Sequence, residues 1–118
     1  EEKYPEVEKK PEITIDDFDK VQIQVGEVIK CEPVPKAKKL LVSQIKIGAE
    51  TRQIVSGIAK YYKPEEMVGK KVAVITNLKP CKLCGVESQG MILAAGDDEG
   101  NLSVVTVDKD IVSGSEIC

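Results

Sequence analysis

Along most of this chain, hydrophobic and polar residues alternate in the manner of strands. Val21, Ile23 and Val25 are separated by Gln22 and Gln24, the period of two that turns every second side chain to one face. Gly26 then permits a bulge or a close approach, and Val28 and Ile29 continue the strand. Cys31-Glu32-Pro33-Val34-Pro35 is expected to break it, and Lys36-Ala37-Lys38-Lys39-Leu40 to form one helical turn. A second strand is predicted over 41–47 and, after a turn at Gly48-Ala49, a third over 51–56. The stretch 60–68 contains Pro64-Glu65-Glu66, a first helical turn with acids at its positive end, and Gly69 terminates it. Val72, Val74 and Thr76 mark a fourth strand ending at Asn77. A lysine-bearing loop leads to a fifth over 91–95. Asp97-Asp98-Glu99-Gly100 is a turn, 102–107 one more strand, and Ser113-Gly114-Ser115 introduces a last short piece.

Five strands with one short helix between the third and fourth are the order of an OB-fold, an all-β barrel. The strands after Ala95 form a C-terminal appendix to it. Composition agrees: 15 Val and 12 Ile stand against 6 Leu, and side chains branched at Cβ suit a pleated sheet. A length of 118 residues fits one domain, placed at 13–118. Residues 1–12, EEKYPEVEKKPE, are too charged and proline-interrupted to bury a core, so a disordered charged linker is expected there. The chain opens on Glu rather than Met, which suggests a piece cut from something longer, with this linker as the tether.

Histidine is absent, which excludes Ser-His-Asp and Cys-His nucleophile systems and HExxH zinc sites. Tryptophan is absent too, and Phe18, Tyr4, Tyr61 and Tyr62 are too few for a broad stacking platform. No apolar run approaches the roughly 20 residues that span a bilayer, and no signal peptide opens the chain, so a cytoplasmic protein without membrane contact is expected. The net charge of −3 conceals an asymmetry: residues 1–20 sum to −4, 21–95 to +6 and 96–118 to −5. A basic middle suits either a solvated surface or a polyanion partner.

The most informative stretch is Asn77-Leu78-Lys79-Pro80-Cys81-Lys82-Leu83-Cys84-Gly85-Val86-Glu87-Ser88-Gln89-Gly90-Met91. It offers two cations, an amide and a hydroxyl on a loop shaped by proline and glycine, groups that suit phosphates and base edges and equally an ordinary tight loop. The pattern N-L-K-P-x-K-x-x-G-x-x-S-x-G-M resembles the signature of the tRNA-binding OB-fold family. The resemblance extends from Phe18 to Gly114, through Val21, Val25-Gly26, Leu40-Leu41, Arg52 and Val55-Ser56-Gly57. Asp17-Phe18, Lys20-Val21, Val55-Ser56-Gly57-Ile58 and Pro64-Glu65-Glu66 with Gly69-Lys70 look most like the branch at the C-terminal end of methionyl-tRNA synthetases.

The resemblance implies a non-catalytic module that binds tRNA by shape and backbone, forms a homodimer, and serves a synthetase catalytic body, fused or separate. It assigns RNA contacts to Asn77, Lys79, Lys82, Ser88 and Met91, and places Lys36, Lys38 and Lys39 in a turn where relatives also carry basic groups. The apolar residues of the appendix, Leu102, Val104, Val105, Val107, Ile111, Val112 and Ile117, are expected to supply the dimer contact. Relatives often have basic residues where Cys81 and Cys84 stand, and Asp and Arg in place of Gln22 and Gln24, so fewer cations face the partner here. The cysteine replacements and the acidic ends favour the alternative, a chaperone-like or dimerisation module with little RNA affinity. No metal or other cofactor is expected. Cys81-x-x-Cys84 is half of a zinc spacing, only Cys31 and Cys118 could complete it, and the βαβ context of a redox motif is missing.

Overall fold

The first long strand shows how bulges set which residues enter the core. In the computed structural model, which describes residues 4–118, β1 (Ile23–Val34) turns Gly26, Val28, Cys31 and Val34 inward. That spacing breaks the period of two because the register slips between Val28 and Lys30 and again between Pro33 and Val34. The first slip inserts Ile29 into β1 and moves the inward set along by one, whereas at the second the extra residues, 38–40, lie on the facing strand. The bulge thus falls at Ile29, while Gly26 pairs regularly with Val72 and meets a close approach: a β-carbon there would stand 2.5 Å from the Ile45 side chain.

β1 also continues through Cys31–Val34 rather than breaking. Beyond Glu27 it pairs only with β2 (Ala37–Ile47), so its other edge demands no ladder bond and Pro33 is tolerated. The expected helical turn at 36–40 is absent. Pro35-Lys36 is a two-residue loop, Ala37 pairs Val34, and the ladder resumes at Leu41, with the Lys39 carbonyl accepting from Ala59 N in between.

β3 (Glu50–Ser56) pairs with β2, and α2 (Pro64–Met67) then crosses the barrel end, burying Met67 completely. β4 (Lys71–Ile75) returns along β1. β5 (Cys81–Leu83) and β6 (Val86–Ser88) form a separate hairpin, and β7 (Met91–Ile92) pairs with β4. The main sheet therefore runs β3-β2-β1-β4-β7, all antiparallel. Val28, Leu41, Ile45, Ile54, Met67, Val72 and Val74 form the core of this OB-fold barrel.

The expected strands over 91–95 and 102–107 are each shorter. β8 (Ala94–Gly96) leaves β4 at Leu93 to pair with β9 (Leu102–Val104), and Thr106 makes one bridge to Val72. Val104 is buried and Leu102 packs on the core, so these two close the barrel end instead of serving a dimer contact; Val105, Ile111 and Val112 stay exposed. β10 (Glu116–Ile117) extends β1 on the side that β2 has left.

A short helix, α1 (Ile15–Phe18), precedes β1. It buries no residue and is fixed by a capping box in which Thr14 and Asp17 satisfy each other's backbone N–H. Residues 4–12 have no helix or strand, and the Glu6 N–H donates to Asp98 at 3.3 Å. Residues 1–3 of the expected linker lie outside the described residues. Among the described residues no helix is long and apolar enough to cross a membrane.

Candidate nucleic-acid interface

The lysine-bearing loop of the sequence is a β-hairpin. Cys84 and Gly85 occupy its two-residue turn with φ of 50° and 80°. Positive φ at both turn positions matches the right-handed twist of the flanking strands; glycine adopts it freely, whereas Cys84 does so against its own preference.

Polar side chains fasten this hairpin to the barrel. Arg52, half-buried on β3, donates through Nη1 to the carbonyls of Thr76 and Gln89, the residues on either side of the hairpin segment 77–88. Its Nε pairs with Glu50. Beside it, Gln89 N donates to the Gln53 carbonyl at 2.8 Å, Gln53 N to Gln89 Oε1 at 3.1 Å, and Gln53 Nε2 to the Glu87 carbonyl at 2.9 Å. These bonds close the barrel between β3 and β7, where no regular ladder forms.

Two of the residues assigned to RNA contact belong to the same fastening. Ser88 is 3% exposed; its Oγ accepts from Val55 N at 2.9 Å and donates to the Gly90 carbonyl at 3.1 Å. The expectation that it meets RNA is therefore corrected to a positioning role, because its hydroxyl proton is already committed inside the fold. Asn77 lies at the surface, but its Oδ1 accepts from Gln22 N at 2.9 Å and its Nδ2 donates to the Lys20 carbonyl at 2.6 Å. Asn77 braces the hairpin against the segment that enters β1. The sequence does not single out Arg52 for this role, since a lone cation in a strand gives no sign of the two carbonyls it joins.

Beneath the hairpin lies an apolar cleft of about 500 Å³. Val55, Ile58, Leu78, Leu83, Met91 and Leu102 form much of its wall, with Lys79 and Cys81 beside them. Cys81 and Leu83 face the cleft, so Lys82 between them points to the other side of the hairpin. The structure thus separates Lys79 from Lys82. Lys36 in the β1–β2 turn and Lys38 and Lys39 at the start of β2 are exposed, and Ala59 N donates to the Lys39 carbonyl at 3.2 Å, joining that connection to the wall at Gly57 and Ile58. Among the described residues, none of these five lysines has an ion-pair partner. The two lysine-bearing loops flanking one cleft are those with which OB-folds grip oligonucleotides.

The remaining candidates fall outside this region. Tyr62 packs on the core and accepts from Val104 N at 3.1 Å, and Lys71 holds Asp110 at 2.6 Å. Cys31 is buried, and burial pushes its thiol pKa up against a hydrogen bond from Ser43. No group of three His, Cys, Asp or Glu side chains converges among the described residues.

This barrel, with a clamped hairpin over a cleft that Lys79 lines and exposed lysines on the hairpin and the β1–β2 connection, has the form of a nucleic-acid-binding module. Residues 23–116 match the family model described as "Putative tRNA binding domain", and the chain belongs to that family. It is 61% identical over 110 residues to methionine–tRNA ligase of Methanocaldococcus jannaschii, a match covering 93% of this chain and 17% of that protein. The chain therefore spans about a sixth of that relative's length. A crystal structure of a methionyl-tRNA synthetase-related protein from Pyrococcus horikoshii superposes with a TM-score of 0.87 at 38% identity, covering 92% of this chain and all of the other. The chaperone CsaA of Bacillus anthracis shares the fold, with a TM-score of 0.83 at 21% identity over 92% of this chain and all of its own.

Proposed function

We propose that this chain is the non-catalytic tRNA-binding part of a cytoplasmic methionine–tRNA ligase, holding tRNA near a catalytic body that is fused to it or separate. The observation that carries this reading is the set of five exposed lysines, without ion-pair partners among the described residues, on the hairpin segment and the β1–β2 connection in a chain of the tRNA-binding family. Lys79, Lys82, Lys36, Lys38 and Lys39 neutralise phosphates, Met91 offers an apolar contact, and Asn77 and Ser88 fix the hairpin that presents them. Recognition follows tRNA shape and backbone, and the charged segment that precedes the barrel acts as the tether that raises local tRNA concentration. Filter retention of tRNA at low and moderate salt tests this: log K is expected to fall linearly with log salt. Absence of retention at the lower salt contradicts it.

The domain functions as a homodimer in this reading. Ile15, Phe18 and Val21 expose apolar surface around one hollow that Ile117 and Cys118 share, and Val112 is 75% exposed nearby in sequence. Two-fold pairing is the common way to cover such surface. Sedimentation at micromolar concentration is expected to give twice 12.9 kDa; a monomer alone contradicts dimerisation.

A further inference from the structure

We propose that the cleft beneath the β5–β6 hairpin receives one unstacked base of the bound tRNA, with the Lys79 ammonium on the phosphate beside it. This rests on the tRNA-binding reading and adds an interaction that recognition of backbone alone does not require.

Three observations converge on the cleft. Its volume of about 500 Å³ lies within the roughly 300–1,000 Å³ of sites that enclose small planar ligands. Leu78, Leu83 and Met91, each between 40% and 46% exposed, gather around it. Water-exposed apolar side chains in one concave place mark a surface awaiting a partner. The flat face of a base is a suitable partner, being poorly hydrated and indifferent to direction.

The wall's polar groups narrow the choice. No carboxylate lines the cleft, while Lys79 does, and it has no ion-pair partner among the described residues. That charge selects an apolar group that carries an anion with it, as a nucleotide does, over an apolar peptide. Ser56 also lies in the wall, and its Oγ is buried without a hydrogen-bond partner among the described residues. A buried hydroxyl left unpaired is costly, and rotation about χ1 presents it to a base edge as donor or acceptor. No aromatic ring lines the cleft, so the base is held by Leu and Met side chains rather than by stacking. A base inside a helix is unavailable to such a site, whereas the loops of tRNA offer bases already out of the stack.

The test titrates the chain and the variants Leu83→Ala, Leu83→Gln, Met91→Ala and Ser56→Ala against tRNA and against a fully paired RNA duplex, each at several salt concentrations. Both alanine variants of the rim are expected to weaken tRNA binding on the order of three- to tenfold, the worth of one or two buried methylenes. Duplex binding and the log–log salt slope stay unchanged, because every phosphate-neutralising lysine is still in place. Ser56→Ala also weakens tRNA binding, whereas a hydroxyl without a ligand role leaves it unchanged. Leu83→Gln keeps bulk while removing the apolar surface, and equal urea midpoints for the rim variants show that the fold persists. Equal losses on tRNA and duplex, or tRNA binding untouched in both rim variants, overturn the proposal. So does displacement of an apolar peptide, rather than tRNA, from the cleft by those substitutions. A parent chain that fails to retain tRNA at all defeats the broader reading instead, and the two failures are thereby distinct.

Discussion

Two hairpins are added to the end strands of this barrel, and they are attached by opposite means. β8–β9 is held by burial: Val104 enters the core, Leu102 packs against it, and Val105 exchanges backbone bonds of 2.9 Å with Ala73 and Leu93. β5–β6 is held by side-chain hydrogen bonds from Arg52, Gln53, Ser88 and Asn77, while Cys81, Lys82 and Leu83 all stay exposed. Burial draws β8–β9 onto the core, and Ala94 and Leu102 form the far side of the cleft. Polar fastening fixes the other hairpin at its feet while leaving its apolar inner face open over a cleft. The charges divide likewise: residues 21–95 sum to +6 and residues 96–118 to −5.

The largest difference between the hairpins is expected at Arg52. Arg52→Met strips both carbonyls at the hairpin's feet of a charged donor, and hydrogen bonds to charged groups are worth roughly 1.5–3 kcal/mol. Urea unfolding is expected to show a loss of about 2 kcal/mol, with tRNA binding weakened at least tenfold in the protein that remains folded. Arg52→Lys keeps the charge but not the fork, so it recovers only part of either quantity. Val104→Ala is the counterpart on the buried hairpin. It is expected to cost about 1.5 kcal/mol through reduced apolar burial while leaving the dissociation constant for tRNA unchanged. Equal effects of the two substitutions on binding would erase the distinction between the hairpins.

Smaller effects separate them further. The Cys84→Asn change places Asn-Gly in a turn with positive φ at both residues, which that pair adopts readily. A gain of about 0.5 kcal/mol in the urea-unfolding free energy is expected, in line with relief of an unfavourable backbone position. On the acidic hairpin, the Asn101 side chain holds the Asp97 carboxyl below the usual range, and Lys71 does the same for Asp110. A depressed folded pKa stabilises above the unfolded value and that stability is lost as pH falls through the folded one. Amide exchange over 97–112 is accordingly expected to quicken below about pH 4, near the unfolded Asp value, by a modest margin because both groups are exposed.

How far the sequence discloses this arrangement depends on burial. A strand with one face in the core announces itself where buried residues recur at every second position, as at Leu41, Ser43, Ile45 and Ile47, whereas the Val21–Val25 alternation lies on the face opposite Gly26 and Val28. β5 is exposed throughout and carries no such pattern, and its turn is Cys-Gly rather than Asn-Gly, so it reads as a loop. α1 buries nothing, leaving only the Thr14–Asp17 capping box to signal it. β1's passage through Pro33 depends on a partner missing from one edge, a tertiary fact that local sequence does not contain. At the site, the motif locates the right segment, since charged and turn residues are dense there. It does not separate Lys79, which is exposed, from Ser88, whose buried hydroxyl is bonded to Val55 and Gly90, because that depends on which way each side chain turns.

If the open, polar-fastened hairpin is the face that meets tRNA, its two lysines must carry part of the binding. Filter-binding titrations of the parent chain and the Lys79→Ala, Lys82→Ala double variant, across a range of salt concentrations, test this most directly. Weaker binding is expected, with a log–log salt slope shallower by roughly 0.7–0.9 for each phosphate left without its lysine. The urea midpoint is expected to stay unchanged, since both side chains are exposed. Titrations that superimpose at every salt concentration would contradict a tRNA-binding role for the hairpin.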